Sequence, residues 1–234
     1  MRRRHRVGPD PNFPYLDEDE RFPFPPPSRW GESVVAVGGN LSPGMILSAY
    51  EQGIFPWYGP GDPLIWQSPD PRMAIFPRTL HESKSMRKIL EKGVFEIDFD
   101  RDFPAVIRAC AKAERPGQDG TWILPEIIRA YERMAKLGWA HCAEARVDGR
   151  LVGGCYGLLI GRAFCGESMF SLQPNASKAA FLSLARRLFD DGAAFIDCQA
   201  PTEHLRSLGG TEIDRAYFLK LLGKAVDRSC PAKK

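Results

Sequence analysis

The sequence predicts a mixed α/β fold, in which helices cover a mixed sheet. Two observations predict it. Along the second half of the chain the patterns run helix, strands, helix, strand, an order that indicates helices on a mixed sheet. And the long apolar stretch from 140 to 170 is cut by turn signals at Asp148-Gly149 and Gly161-Arg162, as expected for strands joined by hairpins.

The elements follow in chain order. Residues 11–30, "PNFPYLDEDERFPFPPPSRW", hold too much proline for a helix, which proline breaks by removing an amide donor. Phe13, Tyr15, Phe22, Phe24 and Trp30 make the segment an extended strip laid on the protein surface. "NLSPGMILSAYEQGIFPW" is a helix with Ser42 at its N-cap, Pro43 at its first position and Gly53 as its stop. "LIWQSPDPRMAIF" is a strand, a Pro-rich turn and a second strand, and a domain boundary is expected near residue 72. It separates a small N-terminal domain, 1–71, from a larger one, 72–234. "LHESKSMRKILEKG" is a helix that carries Arg87 and Lys88. "LPEIIRAYERMAKLG" is another, with Ile127, Tyr131 and Met134 as its apolar stripe. After the strands of 140–170, "PNASKAAFLSLARRLFDDG" is a helix whose core face is Phe181, Leu184, Ala185 and Leu188. "AAFIDCQ" is the next strand, and a last helix follows Asp214.

Composition excludes several classes. The 234 residues are 44% hydrophobic and 26% charged, which suits a globular protein. The net charge of +3 allows a few phosphate contacts but not the wrapping of long nucleic acid. The basic start has no apolar stretch after it, so no secretory signal is read there. The six cysteines lack any C-x-x-C pair and are read as reduced thiols of a cytoplasmic protein, with no metal. "LVGGCYGLLIG" is too short and glycine-broken to span a membrane.

The stretch "AAFIDCQAP" places a carboxylate inside an apolar strand, which is costly unless the charge is paired or hydrogen-bonded. Side chains two apart share a strand face, so Asp197 and Gln199 can stand side by side with Ile196 and Cys198 opposite. The carboxylate could fix the amide's orientation, leaving the amide oxygen to accept a nitrogen-bound proton. Equally, Asp197 could pair with an arginine. Glu167 in "GESMFS" is a second carboxylate in an apolar strand. Cys198 with His141 or His204 would make a nucleophile and base, but no local signature supports that pair. Trp57 and Trp122 sit in Gly/Pro loops, where a tryptophan can stack on a base or plug the edge of a core.

Taken in order, "VGGNLSPGMILSAYEQGIFPW", "WQSPDPR", "TWI", "LVGGCYG", "GESMFS", "NASK" and "IDCQ…SLGG" resemble the leucyl/phenylalanyl-tRNA–protein transferases, over nearly the whole chain. The resemblance implies a small N-terminal domain and an acetyltransferase-like (GNAT) domain. It implies an enzyme that moves Leu, Phe or Met from aminoacyl-tRNA to the N-terminal Arg or Lys of a protein, marking it for degradation, with no cofactor. It further implies Gln199 as acceptor for the attacking amine, Asp197 as its polarising partner and Glu167 as a holder of substrate polar groups. Trp57 and Trp122 would flank the 3′-terminal adenosine, and Arg87 and Lys88 would touch acceptor-stem phosphates. Phe164, Met169, Phe170, Phe181, Leu184 and Ile196 supply the apolar candidates for the aminoacyl pocket. Gln67 and Cys142 depart from the family pattern, which has Trp and Ser there. Coenzyme A-dependent acetyl transfer is the alternative, but "SLQPNASKAA" lacks the glycines of a pyrophosphate-binding turn and Pro174 removes an amide. A non-catalytic RNA-binding module is the other.

Overall fold

The protein is described from a computed structural model covering residues 8–27, 33–113 and 121–226. Trp30, His5 and Cys230 lie outside the described residues. The elements are β1 (Val34–Val37), α1 (Pro43–Glu51), β2 (Phe55–Pro56), β3 (Ile65–Gln67), β4 (Arg72–Ile75), α2 (Lys84–Glu91), β5 (Glu96–Phe99) and α3 (Phe103–Lys112). They continue with α4 (Pro125–Lys136), β6 (Ala140–Val147), β7 (Arg150–Ile160), β8 (Ala163–Ser171), α5 (Ala176–Asp190), β9 (Phe195–Gln199), α6 (Glu203–Ser207), β10 (Thr211–Ile213) and α7 (Arg215–Val226). β1, β3 and β2 form a small antiparallel sheet. The others form a seven-stranded sheet in the order β10-β4-β9-β8-β7-β6-β5. Only β8 and β9 run parallel in it, so the sheet is mixed.

Local sequence explains these elements. Asp148 and Gly149 both have positive φ, the hairpin turn their types favour, between β6 and β7. Ser83, Asp102 and Thr202 cap α2, α3 and α6 by accepting from the amides of Met86, Ala105 and Leu205. Ser42 occupies the cap position of α1 but makes no cap bond. Its Oγ instead accepts from Leu16 N, 3.1 Å away, in the Pro-aromatic segment. That segment lies along α1, its Phe22 amide on Ser48 and Arg21 paired with Glu51. Phe13, Phe22, Phe24 and Trp66 follow one another edge to face, which ties the strip to β3. Tyr15 remains exposed, under the guanidinium of Arg133. The strands β1, β5 and β10 and the helices α3 and α6 were not anticipated; each is short or weakly patterned, and tertiary pairing rather than local preference makes it.

Two large cores cover the faces of the large sheet, and a third, smaller one packs α7 on β4, β8 and β9 through Ala74, Ala163, Phe195 and Phe218. Of the two large cores, one packs β8 and β9 against α5 through Phe164, Phe181, Leu184 and Ile196. The other joins α1 and the small sheet to α3, α4 and β7 through Tyr50, Trp66, Ile127, Tyr131 and Tyr156.

The functional geometry starts where two strands part. β8 and β9 pair only at Ala163–Phe195, Phe164–Ile196 and Cys165–Asp197. Beyond them β8 carries a bulge: Gly166 faces Gly157 and Ser168 faces Tyr156, so Glu167 is the extra residue. β9 shifts register against β4 between Asp197 and Gln199, and Gln199 has φ +62°, a left-handed conformation rare for a side-chain-bearing residue. The two irregularities open a wedge in the sheet.

Gly157 makes room for that bulge. A Cβ there would lie 2.2 Å from Cys165 O and 2.7 Å from the Phe164 ring. Gly157→Ala should therefore cost about 1–3 kcal/mol by overpacking. Urea unfolding of the variant reads this directly, and an unchanged midpoint would show that β8 moves aside freely.

Candidate active site

The wedge between β8 and β9 holds a cavity of about 500 Å³. Phe164 and Met169 of β8, Phe181 of α5, Ile196 of β9 and Leu205 of α6 give it apolar walls. Trp122, Glu167, Gln199, Thr202 and His204 supply polar groups to the same lining.

Glu167 and Gln199 meet across the parted strands. Gln199 Nε2 donates to Glu167 Oε1 at 2.9 Å. Tyr50 OH, from α1, donates to the same oxygen at 2.6 Å. Tyr131 OH, from α4, lies 2.5 Å from Tyr50 OH and 3.3 Å from Oε2, and its single proton is shared between these two acceptors. Burial pushes the Glu167 carboxyl up to about 7, the Asp197 charge adds to that, and the Tyr50, Tyr131 and Gln199 hydrogen bonds hold it back. Burial and the neighbouring carboxylate push both phenols well above their usual range, so they stay protonated donors. With Nε2 committed to Glu167, the Gln199 amide is left with its carbonyl oxygen as a free acceptor site.

Asp197 lies on the far side of β9 from Ile196 and pairs with Arg72 of β4. Arg72 Nε donates to Oδ1 at 2.8 Å and Nη2 to Oδ2 at 2.6 Å, and both side chains are 1% exposed. Arg72 Nη1 also reaches Gly53 O at 3.2 Å. The guanidinium lies between two rings, 4.8 Å from the Phe55 centroid and 4.4 Å from that of Phe218. Asp197 Oδ1 further accepts from the backbone amide of Gln199 at 2.9 Å. One carboxylate thus closes a two-residue turn and holds Gln199 in its left-handed conformation.

The helix entrance after β8 is filled by the chain itself. Asn175 has φ +73°, Ala176 N donates to Gln173 O at 3.1 Å and Ser177 N to Ser171 Oγ at 3.2 Å. An added Cβ on Gly153 would sit 2.5 Å from Ala176 Cβ, so β7 lies directly against this end of α5. Those two amides are engaged and not presented to a pyrophosphate.

Comparison with known proteins gives a consistent answer. A family model described as leucyl/phenylalanyl-tRNA protein transferase matches residues 74–223, and one for the N-terminal domain of the same proteins matches 39–70. A leucyl/phenylalanyl-tRNA--protein transferase of Myxococcus xanthus is 48% identical over 214 residues, 91% of this chain and 92% of the relative. One from Chromobacterium violaceum is 47% identical over 225 residues, 96% of this chain and 93% of the relative. The chain belongs to the leucyl/phenylalanyl-tRNA protein transferase family. Among solved structures, a GCN5-related N-acetyltransferase from Kribbella flavida covers 73% of this chain and 61% of its own at 14% identity and a TM-score of 0.38, too weak a likeness to speak for substrate.

For this family member, the expected site residues divide. Trp122, Phe164, Glu167, Met169, Phe181, Ile196 and Gln199 line this same cavity. Phe170 and Leu184 do not. Phe170 points to the opposite face of β8 from Met169, into the core with Tyr131, and Leu184 is buried one turn along α5 from Phe181. The expectation that Asp197 stands beside the Gln199 amide is corrected: it bonds that residue's backbone, and Glu167 holds the amide. Trp57 is outside the cavity lining and 39% exposed, and its carbonyl accepts from Gln67 Nε2 at 2.9 Å, so the unexpected glutamine braces this loop. Arg87 and Lys88 are exposed on α2, and Arg87 shares Glu82 with Arg186. Glu144 is fully buried and paired with Arg146 on β6. Cys198 lines the cavity, but burial pushes its thiol up, away from the thiolate form, and His141 is occupied by Asp100. Sequence reasoning missed Arg72, Tyr50 and Tyr131, which sit in ordinary strand and helix patterns. It also passed over His204 as a cavity residue. Among the described residues no cluster of His, Cys, Asp and Glu could hold a metal, and no helix is long and apolar enough to cross a membrane.

The Glu167 carboxyl titrates higher in the folded protein than in the unfolded chain, whose value is near 4.5. Its contribution to stability is therefore complete below that pH and is lost as the pH rises through about 7. The stability of the protein relative to Glu167→Gln should fall between these limits and level off above them. Chemical denaturation across the pH range measures it, and a pH-independent difference would show that Glu167 ionises normally.

Proposed function

We propose that the transferase moves leucine, phenylalanine or methionine from aminoacyl-tRNA to the N-terminal Arg or Lys of acceptor proteins, and that the cavity between β8 and β9 is where the two substrates react. The observation that carries this reading is the pairing of an apolar pocket with one hydrogen-bonded amide at its edge. The walls suit an unbranched or γ-branched side chain by burial, worth about 0.8 kcal/mol per buried CH₂. The edge offers the Gln199 carbonyl oxygen, its orientation fixed by Glu167.

Peptide-bond formation from an ester needs little covalent help. The neutral α-amine of the acceptor attacks the ester carbon. A C–N bond forms, the C–O bond to the ribose breaks, the amine gives up a proton and the ribose oxygen takes one. Gln199 accepts an N–H of the amine and directs its lone pair at the ester; an amide is too weak a base to carry the proton, so the neighbouring ribose hydroxyl shuttles it. Arg72 and Asp197 act on Gln199 through its main chain. Trp57 and Trp122 flank the terminal adenosine, and Arg87 and Lys88 meet acceptor-stem phosphates. Glu167 faces the cavity, which favours it over the buried Glu144 as a partner for the acceptor's basic side chain. The product would carry a new N-terminal residue that marks it for degradation in the cytoplasm. Acetyl transfer from coenzyme A is disfavoured by the engaged amides at the start of α5.

Gln199→Ala should lower transfer of leucine from charged tRNA to an Arg-initiated peptide by roughly 10²-fold, the scale of one positioned proton-transfer group, and leave aminoacyl-tRNA affinity unchanged. Single-turnover transfer and filter binding on the same samples test both halves. Wild-type transfer by the variant would remove Gln199 from the chemistry.

A further inference from the structure

One side chain in the cavity lining takes no part in the chemistry just described. His204 lies on α6, a helix with no buried residue of its own. The helix crosses the cavity between Gln199, at the end of β9, and the buried Leu208. Leu208 is anchored: its carbonyl accepts from His81 N at 3.0 Å, and a Cβ on the following Gly209 would lie 1.8 Å from Thr79 O. Thr202, His204 and Leu205 face the cavity from this bridge. His204 Nε2 reaches across to Met169 Sδ, 3.2 Å away on β8.

A thioether sulfur has no proton to give, so Nε2 carries the hydrogen and donates. Burial, and then the charge of Lys178, lower the His204 pKa. Both the neutral tautomer with its proton on Nε2 and the charged imidazolium make this bond. Its consequence lies in Met169. An unbranched methionine has three rotatable bonds and adapts to whatever lies beside it. A wall made of free methionine would discriminate poorly between side chains that differ by the position of one methyl group.

We propose that His204 is a positioning residue for substrate selection: it pins the Met169 thioether and so turns a flexible side chain into a fixed wall of the aminoacyl pocket. The proposal rests on the reading that the cavity holds the aminoacyl side chain. Pinning from α6 also makes that helix part of the specificity device. A β-branched substrate such as Ile is then rejected because the wall cannot yield. A flexible substrate such as Met is accepted because it bends where the wall does not.

The test is a double-mutant cycle read as the ratio of kcat/KM for Ile-tRNA to that for Leu-tRNA. His204→Leu, which keeps bulk but donates nothing, should raise the ratio about tenfold. His204→Gln, whose amide nitrogen can stand near the position of Nε2, should restore most of the selectivity; a purely structural role for the ring would not give that rescue. Met169→Leu removes the sulfur, and in that background His204→Leu should change the ratio no further. An equal effect of His204→Leu with and without the sulfur overturns the proposal, as does an unchanged ratio in His204→Leu alone. Met169→Ala and Phe164→Ala separate this failure from a larger one. If they change the ratio and His204→Leu does not, the pocket is right and the pinning wrong. If none changes it, the cavity is not the aminoacyl pocket.

Discussion

The buried pair of Arg72 and Asp197 is the constraint on which the rest of the site depends. A charge this deep survives only with a partner and with its remaining bonding capacity filled. Both conditions hold. Asp197 accepts two guanidinium hydrogens and the Gln199 amide. Arg72 also reaches the Gly53 carbonyl and stacks between Phe55 and Phe218. Those contacts come from the N-terminal segment, from two neighbouring strands of the large sheet and from the last helix. The pair therefore fixes where these parts of the chain meet, and the residue it fixes most tightly is Gln199.

The cavity is a consequence of two defects placed side by side. A regular parallel pair would continue past Cys165 and Asp197 and leave no opening. The extra residue at Glu167 and the left-handed turn at Gln199 end the pairing and aim two polar side chains into the gap. Backbone strain of the kind seen at Gln199 persists only where surroundings over-determine it. Here a side chain two residues earlier does so from one side of the strand. From the other, Glu167 takes the amide, held by two tyrosines that come from separate helices. Burial raises the Glu167 carboxyl to about 7 against the opposing hydrogen bonds of Tyr50, Tyr131 and Gln199. That makes its charge responsive to a cation arriving beside it.

Much of this was legible in the sequence, for physical reasons. Proline and glycine punctuation marks the ends of α1 and α4, and a two-residue positive-φ turn marks the β6–β7 hairpin. A carboxylate in an apolar strand announces that something pairs with it. What pairs with it was not legible, because Arg72 is 125 residues away and sits in a short strand beside prolines. Period-two reasoning placed Asp197 beside the Gln199 side chain; the register shift in β9 breaks that period, so the contact goes to the backbone instead. Which face Phe170 takes was not legible either, since a bulge three residues earlier decides it. Tyr131 belongs to the apolar stripe of α4, and it shares a core with Tyr50 of α1. Their hydroxyls become functional only when α1 and α4 meet over β8.

Arg72 acts on the proposed chemistry through Asp197 and the main chain of Gln199. Arg72→Lys keeps the charge and loses the two-point grip on the carboxylate. The most direct measurement is single-turnover transfer by this variant, beside its aminoacyl-tRNA Kd and its thermal unfolding. The expected result is a cooperatively folded protein with unchanged Kd and a transfer rate lowered at least about tenfold. A folded Arg72→Lys protein that transfers at the wild-type rate would contradict it.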